Sequence, residues 1–227
     1  MSPFIRSEES VPLGADDVVA ITDIVDLGIA DAVSKIHLQA FSGYLNARLG
    51  VGYARALIGW FAQQGDAIAL AAIDGNHRVI GYAIGAPVTI NHKLRSDLFW
   101  ITVRSIMLRP WLILDNRLWK VGYARLVKKK EADNNISHEQ DLPEPTMSLF
   151  GIGVKPSHRR KGVGQQLLRV FEERAKSLKF RSLLLYVYPD KVTTRHLYEK
   201  CGWRPCPGGL ESSGAIKYVR LLDTHSV

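Results

Sequence analysis

The chain has 227 residues, 46% of them hydrophobic and 23% charged, which is the composition of a soluble globular protein with one domain and a sizeable core. No run of about 18 apolar residues and no signal-type apolar segment is present, and Cys201 and Cys206 lack metal-ligand spacing, so the sequence predicts a cytoplasmic protein with free thiols and no metal. The net charge of +8 equals that of residues 93–130 alone, where ten lysines and arginines accompany two aspartates.

The N-terminal half is predicted to contain one strand followed by two helices. Residues 17–22 (DVVAIT) have a strand pattern, and the apolar residues of 30–40 recur at helical spacing after Asp23 or Asp26, either of which can cap the helix. Gly43 interrupts this pattern, and a second helical pattern covers residues 51–62.

A β-hairpin is predicted next. Residues 66–73 and 78–87 are strand-like and are separated by the turn Asp74-Gly75-Asn76. Asp-Gly between two such runs is a strong hairpin signal, because both residues accept the backbone angles of a tight turn.

The basic residues belong to a segment, 91–146, that we interpret as a helical insertion within the domain. Residues 94–108 and 111–127 are predicted to form helices divided at Pro110, and residues 128–145 a polar loop. Three roles fit a basic amphipathic segment: a packed lid or dimer element, a site for an anionic acceptor, or contact with a membrane surface or nucleic acid.

Residues 149–165 (LFGIGVKPSHRRKGVGQ) have the pattern of an anion-binding loop. A strand ends at Lys155-Pro156, and Gly162 and Gly164 then precede an amphipathic helical pattern that reaches Lys179. The free N–H groups of a helix start and its dipole favour phosphate oxygens, and three basic residues lie beside them. The pattern therefore favours a ligand with a pyrophosphate group, although a glycine turn with a solvated basic face is the alternative.

The C-terminal part is predicted to add a buried strand, a helix and two closing strands. The strand covers residues 182–188 (SLLLYVY), and the helix covers 192–200 with Asp190 or Thr193 as its cap. The closing strands are predicted at residues 203–207 and 215–222.

Two motifs in this order resemble those of the GNAT superfamily of acyl-CoA-dependent N-acetyltransferases. Arg159-x-x-Gly162-x-Gly164 is similar to its pyrophosphate loop, and residues 197–203 (LYEKCGW) are similar to its motif Leu-Tyr-x-x-x-Gly-Phe. The order of the elements is also that of the family. One departure is Lys191, which stands where members often carry an asparagine that contacts the pantetheine arm.

The resemblance implies an α/β (α+β) GNAT fold, a central mixed, mostly antiparallel sheet flanked by helices, with acetyl-CoA as co-substrate. It implies that Tyr198 protonates the departing thiolate and that the region between the first two helices lines the acceptor site, with His37, Phe41 and Tyr44 as candidates. Backbone N–H groups of Ile152 and Val154, in the fourth family strand, would pair with pantetheine, and the loop from Arg159 to Gln165 would hold the pyrophosphate. The donor-binding residues implied in this way are Ile152, Gly153, Val154, Arg159, Arg160, Lys161, Gly162, Val163, Gly164 and Gln165. The general base stays unassigned among His37, His92, Glu144 and a water chain.

The implied activity is acetyl transfer from acetyl-CoA to a primary amine of a small molecule. The insertion resembles, loosely, those of members from bacterial polysaccharide gene clusters, which makes a nucleotide-linked amino sugar one candidate acceptor. The alternatives are acetylation of protein N-termini or lysines, and a non-catalytic acyl-CoA-binding module that works through its basic helices. A homodimer is compatible with each.

Overall fold

The computed structural model describes residues 9–13, 17–42, 45–109, 142–210 and 214–222, which form a mixed sheet with helices on both faces. In this part of the chain eight strands pair in the order β1-β2-β3-β4-β5-β6-β8-β7. Every neighbouring pair is antiparallel except β5 and β6. The strands are β1 Glu9–Leu13, β2 Asp17–Asp23, β3 Ile68–Ile73, β4 Val79–Pro87, β5 Thr146–Val154, β6 Ser182–Val187, β7 Arg204–Leu210 and β8 Ile216–Leu221.

The α-helices of the described residues are α1 Leu27–Ala40, α2 Leu45–Arg48, α3 Gly50–Gln63, α4 Asn91–Asp97, α5 Phe99–Met107, α6 Val163–Ser177 and α7 Val192–Lys200. Asp26 caps α1, because its carboxylate accepts the N–H of Ile29 at 2.7 Å. At α7 neither predicted cap is used: Lys191 occupies the N-cap position, and it makes no side-chain capping bond.

The structure confirms the predicted fold class, although some elements differ from expectation. Strand β1 was not predicted, since its five residues, ESVPL, contain a proline and give little strand signal. The helix predicted over residues 94–108 is divided at Leu98, a residue that is only 7% exposed. The indole N–H of Trp60 donates to the Asp97 carboxylate at 2.9 Å directly before this break. The predicted helix at 111–127 lies outside the described residues.

Two apolar cores lie on opposite faces of the sheet. On one face, which we call the α1 face, Val33 of α1 and Ile58 and Phe61 of α3 pack against the sheet. On the other, which we call the α6 face, α6 contributes Leu167, Leu168, Phe171 and Ala175. Tyr82 and Ile84 of β4 belong to the α1 face and Ala83 to the α6 face, as the two-residue period of a strand requires.

The sheet has an opening between β5 and β6. These parallel strands pair only at Thr146 with Ser182, Met147 with Leu183 and Ser148 with Leu184. Beyond these pairs β5 continues to Val154 and β6 to Val187 without pairing to each other. We call the space between residues 149–154 and 185–187 the opening. A β-bulge on β5, where Gly85 faces Leu149 but Ile84 faces Gly151, leaves Phe150 as the extra residue at its start.

Candidate active site

The edge of β5 that faces the opening carries backbone N–H groups without a neighbouring strand to accept them. At the end of β5 the Lys155 N–H donates in the other direction, to the Ile80 carbonyl of β4 at 2.8 Å. The N–H groups of a strand alternate in direction. The N–H of Gly153 therefore also points toward β4, and the N–H groups of Ile152 and Val154 point into the opening. These are the two groups that the sequence analysis assigned to pantetheine.

The loop after β5 leads directly to the N-terminus of α6. A 3₁₀ turn covers Pro156–His158, Arg160 has a φ of 62°, and Gly162 has a φ of 83° at the N-cap of α6. Only glycine adopts the φ of Gly162 without steric cost. A non-glycine residue at positive φ, such as Arg160, is uncommon away from turns and functional sites. The first helical bonds run from the N–H groups of Gln165 and Gln166 to the Gly162 carbonyl, at 2.9 and 3.1 Å.

The N–H groups of Val163 and Gly164 precede these bonds, so they lie in the first turn of α6, where a helix offers its donors and the positive end of its dipole. The Val163 side chain is buried in the α6 core, and only its backbone is available to a ligand. Arg160 and Lys161 are exposed beside this turn. The arrangement fits the phosphate oxygens of an anionic ligand.

Arg159 has a bonding partner that the sequence did not predict. Its Nε donates to the Val154 carbonyl at 3.0 Å, which ties the loop to the last residue of β5. The guanidinium therefore links the loop to the strand edge, and both Arg159 and Arg160 are exposed.

Tyr198 lies in the core of the α6 face, with 6% of its surface exposed. Its ring is 6.1 Å from the rings of Trp203 and Tyr218, centroid to centroid. Both neighbours are fixed by polar partners, since the Trp203 indole donates to Glu172 at 2.9 Å and the Tyr218 hydroxyl donates to Glu199 at 2.7 Å. The Tyr198 ring is therefore held in one place by two anchored aromatic side chains.

Tyr82, which the sequence analysis did not single out, approaches from the α1 face. Its hydroxyl is hydrogen-bonded to His37 Nδ1 at 2.6 Å, and it has no exposed surface. A methyl group on Gly153, its partner on β5, would lie 2.7 Å from the Tyr82 ring, so the phenol packs directly on the strand that borders the opening. Burial raises the pKa of Tyr82, and the neighbouring Tyr198 raises it further. The two tyrosines thus interact across the sheet.

Two of the three predicted acceptor residues are brought together here. Phe41 stacks on the His37 ring with centroids 4.8 Å apart and an interplanar angle of 22°. His37 is 6% exposed, and burial lowers its pKa to about 4. The third, Tyr44, lies outside the described residues. A histidine with this pKa is neutral near pH 7 and is a weak base there, which favours a role in holding the Tyr82 hydroxyl.

The buried His37 is expected to make stability depend on pH. In the unfolded chain its pKa returns to about 6.5, so the unfolded state takes up a proton first as the pH falls. The contribution of His37 is fully present above about pH 6.5 and falls by about 3 kcal/mol as the pH decreases to 4. Urea unfolding between pH 4 and pH 8 measures this as the difference between the wild type and His37→Gln. The exposed His77 provides the control His77→Asn, which should keep the wild-type pH slope; a His37→Gln slope equal to that of the wild type would contradict the assignment.

Of the other sequence candidates for the base, Glu144 is not brought to the opening. The Glu144 carboxylate accepts the Thr146 N–H at 2.9 Å, at the start of β5, where that strand is still paired with β6. The side chain of His92 lies outside the described residues. Lys191, at the place of the family's frequent asparagine, pairs with Asp190 at 3.0 Å on the exposed approach to α7. Among the described residues, no group of three or more His, Cys, Asp or Glu side chains is placed to hold a metal ion.

Comparison with known proteins decides the family. The model of the acetyltransferase (GNAT) family matches residues 47–203, well over half of the chain and including both motifs. The chain belongs to the GNAT family of acetyltransferases. Within the described residues of this GNAT protein, no helix has both the length and the apolar character needed to cross a membrane.

Individual relatives are more distant. YycN of Bacillus subtilis, named as an uncharacterized N-acetyltransferase, is 30% identical over 69 residues, which are 30% of this chain and 44% of YycN. The chain thus matches less than half the length of that relative. A GNAT acetyltransferase of Staphylococcus aureus Mu50 superposes with a TM-score of 0.56 at 11% identity, covering 90% of this chain and 99% of that one. The PaiA N-acetyltransferase of Thermoplasma acidophilum, solved in complex with coenzyme A, gives 0.55 at 12% identity, covering 89% and 98%. These structures share the GNAT fold.

Proposed function

We propose that this protein transfers an acetyl group from acetyl-CoA to a primary amine of a small molecule. The observation that carries the proposal is the opening between β5 and β6, whose free strand edge leads through Arg159 directly to the N-terminus of α6. A long ligand with amide groups at one end and a pyrophosphate at the other matches this order of donors. Membership of the GNAT family supports the same donor.

The donor would bind as an added strand along β5. The N–H groups of Ile152 and Val154 would donate to amide oxygens of the pantetheine arm, in the way that an extended peptide pairs with a free sheet edge. Its pyrophosphate would then meet the first turn of α6 together with Arg160 and Lys161. The thioester end would lie between Tyr82 on the α1 face and Tyr198 on the α6 face.

Acyl transfer then requires an uncharged amine and a proton for the leaving sulfur. The amine nitrogen forms a bond to the thioester carbonyl carbon, and the carbon–sulfur bond breaks. The departing thiolate takes one proton from a general acid. The nitrogen loses one proton, which ultimately restores the acid. Tyr198 would deliver the proton to the thiolate, and Trp203 and Tyr218 hold its ring in place. The buried pair of Tyr82 and His37 would fix the wall of the site on the acceptor side.

The test combines donor binding with turnover. Calorimetric titration with acetyl-CoA should give saturable binding at one site, and a panel of primary amines, including nucleotide-linked amino sugars, should release free CoA thiol together with an acetylated product detected by mass spectrometry. Release of thiol without an acetylated amine would indicate hydrolysis of the donor. Absence of acetyl-CoA binding by the folded protein would sink the proposal.

A further inference from the structure

Three aromatic side chains remain exposed at the opening. Phe150 of β5 is 36% exposed, and Tyr186 and the residue just after β6, Tyr188, are 40% and 36% exposed. The alternating residues Leu183, Leu185 and Val187 are each at most 5% exposed. Tyr186 therefore lies on the face of β6 opposite to Leu183, Leu185 and Val187.

The register places Phe150 and Tyr186 on the same face, on opposite sides of the opening. Ser148 and Leu184 form the last pair of β5 and β6, and side chains of paired residues in a sheet point the same way. Leu149 and Leu185 both belong to the α6 core. One residue further along each strand, Phe150 and Tyr186 therefore both point to the α1 face.

The α1 face is where an acceptor would approach, and its aromatic character continues beyond the strands. Phe150 lies 5.1 Å from the ring of Phe61 on α3, which in turn packs edge-on against Trp60 at 5.2 Å. Phe61 is 1% exposed and belongs to the core of the α1 face. Phe150 therefore packs on a buried ring, while part of its own ring stays accessible to solvent. The result is a fixed aromatic surface at the start of the opening.

We propose that the acceptor is a primary amine attached to an aromatic or similarly flat apolar skeleton, such as an arylalkylamine, which stacks between Phe150 and Tyr186. This proposal rests on the acetyltransferase function proposed above and specifies its acceptor. Aromatic rings prefer offset or edge-to-face contacts with other rings, which the two walls of the opening provide. The same surroundings disfavour the charged form of the amine, because a desolvated ammonium has a lowered pKa. An apolar acceptor site thus helps to supply the uncharged nucleophile.

Acceptor preference gives the first test. With acetyl-CoA at saturation, 2-phenylethylamine is expected to have a kcat/KM at least about tenfold above that of glucosamine or spermidine, since it alone of the three carries an aromatic ring that can make ring–ring contacts with both walls. Equal or better use of glucosamine or spermidine would overturn the proposal and leave the acetyltransferase function standing. Saturable acetyl-CoA binding with no use of 2-phenylethylamine would overturn it in the same way. Failure to bind acetyl-CoA would instead remove the function on which it rests.

A variant series gives the second test. Tyr186→Ala is expected to raise the KM for 2-phenylethylamine about tenfold with little change in kcat, and Tyr186→Phe, which keeps the ring, is expected to restore it. Acetyl-CoA affinity should be unchanged in both. Trp100→Ala provides the matched control, because Trp100 is an exposed aromatic residue that belongs to α5 and not to either strand that borders the opening. An unchanged KM in Tyr186→Ala, or an equal increase in Trp100→Ala, would overturn the proposal.

Discussion

Gly164→Glu is expected to weaken acetyl-CoA binding by at least about a hundredfold while leaving the protein folded. Gly164 lies in the first turn of α6, where the proposed pyrophosphate site offers its N–H groups. A glutamate there brings a negative charge to the place that the phosphate oxygens would occupy. Two negative groups held so close together repel each other, which costs several kcal/mol of binding free energy. The same charge suits a helix N-terminus when no ligand is bound, so the fold itself is not penalised electrostatically.

Steric effects and charge can be separated with two further variants. A Cβ atom at position 164 would lie 3.3 Å from Leu197 Cδ2 on α7, a contact that the flexible leucine can relieve. Gly164→Ala is therefore expected to bind acetyl-CoA within a few-fold of the wild type. Gly52→Glu adds the same charge on α3, where a Cβ meets nothing within 4 Å, and should bind normally. Calorimetric titration of all four proteins measures these affinities; tight binding by folded Gly164→Glu would place the pyrophosphate elsewhere.

The prediction for the donor side of the proposed site rests on local sequence signals. The loop from Arg159 to Gly164 was predicted because a basic, glycine-containing run between a strand and a helix is typical of an anion-binding loop, and the left-handed conformation at Gly162 is one that strongly favours glycine. Helix α7 has the predicted bounds, Val192–Lys200. Its expected cap was wrong, since Asp190 pairs with Lys191 and Thr193 makes no capping bond.

The acceptor side depends on contacts between residues that are distant in sequence. Tyr82 and His37 are separated by 45 positions, and no local sequence motif around either residue predicts their hydrogen bond. The available signal was weaker: a tyrosine inside an otherwise apolar hairpin strand needs a partner for its hydroxyl. Phe150 becomes exposed through a bulge in the pairing of β4 with β5, two strands joined by the long segment that includes residues 91–141. Such a register shift cannot be read from either strand alone.

The alternation of Tyr186 and Tyr188 with apolar residues was visible in the sequence SLLLYVY. We predicted a wholly buried strand from that run, but the structure leaves both tyrosines more than a third exposed. The reason is the opening itself: β6 loses its neighbour β5 after Leu184, so the later residues of the strand are covered on the α6 face only. An unpaired stretch inside a sheet is a property of the whole fold, and it is also the feature that creates the proposed site.

Tyr198→Phe is expected to lower kcat for acetyl transfer by about 10² to 10³, a typical loss for a general acid, with little change in the affinity for acetyl-CoA. The substitution removes only the hydroxyl and keeps the ring contacts with Trp203 and Tyr218. Because the acid acts only as sulfur leaves, its loss should appear in kcat and kcat/KM alike.

Tyr218→Phe is the matched control for this variant. Tyr218 belongs to the same aromatic cluster, but its hydroxyl donates to Glu199 at 2.7 Å and accepts from Arg195 Nε at 3.1 Å. Its removal should cost stability, by about 1 kcal/mol for the lost hydrogen bonds, and leave kcat close to that of the wild type. Steady-state kinetics and urea unfolding of both variants separate the effect on kcat from the effect on stability. Full activity of Tyr198→Phe would mean that water, and not Tyr198, protonates the leaving thiolate. An equal loss of kcat in both variants would mean that the aromatic cluster acts by packing alone.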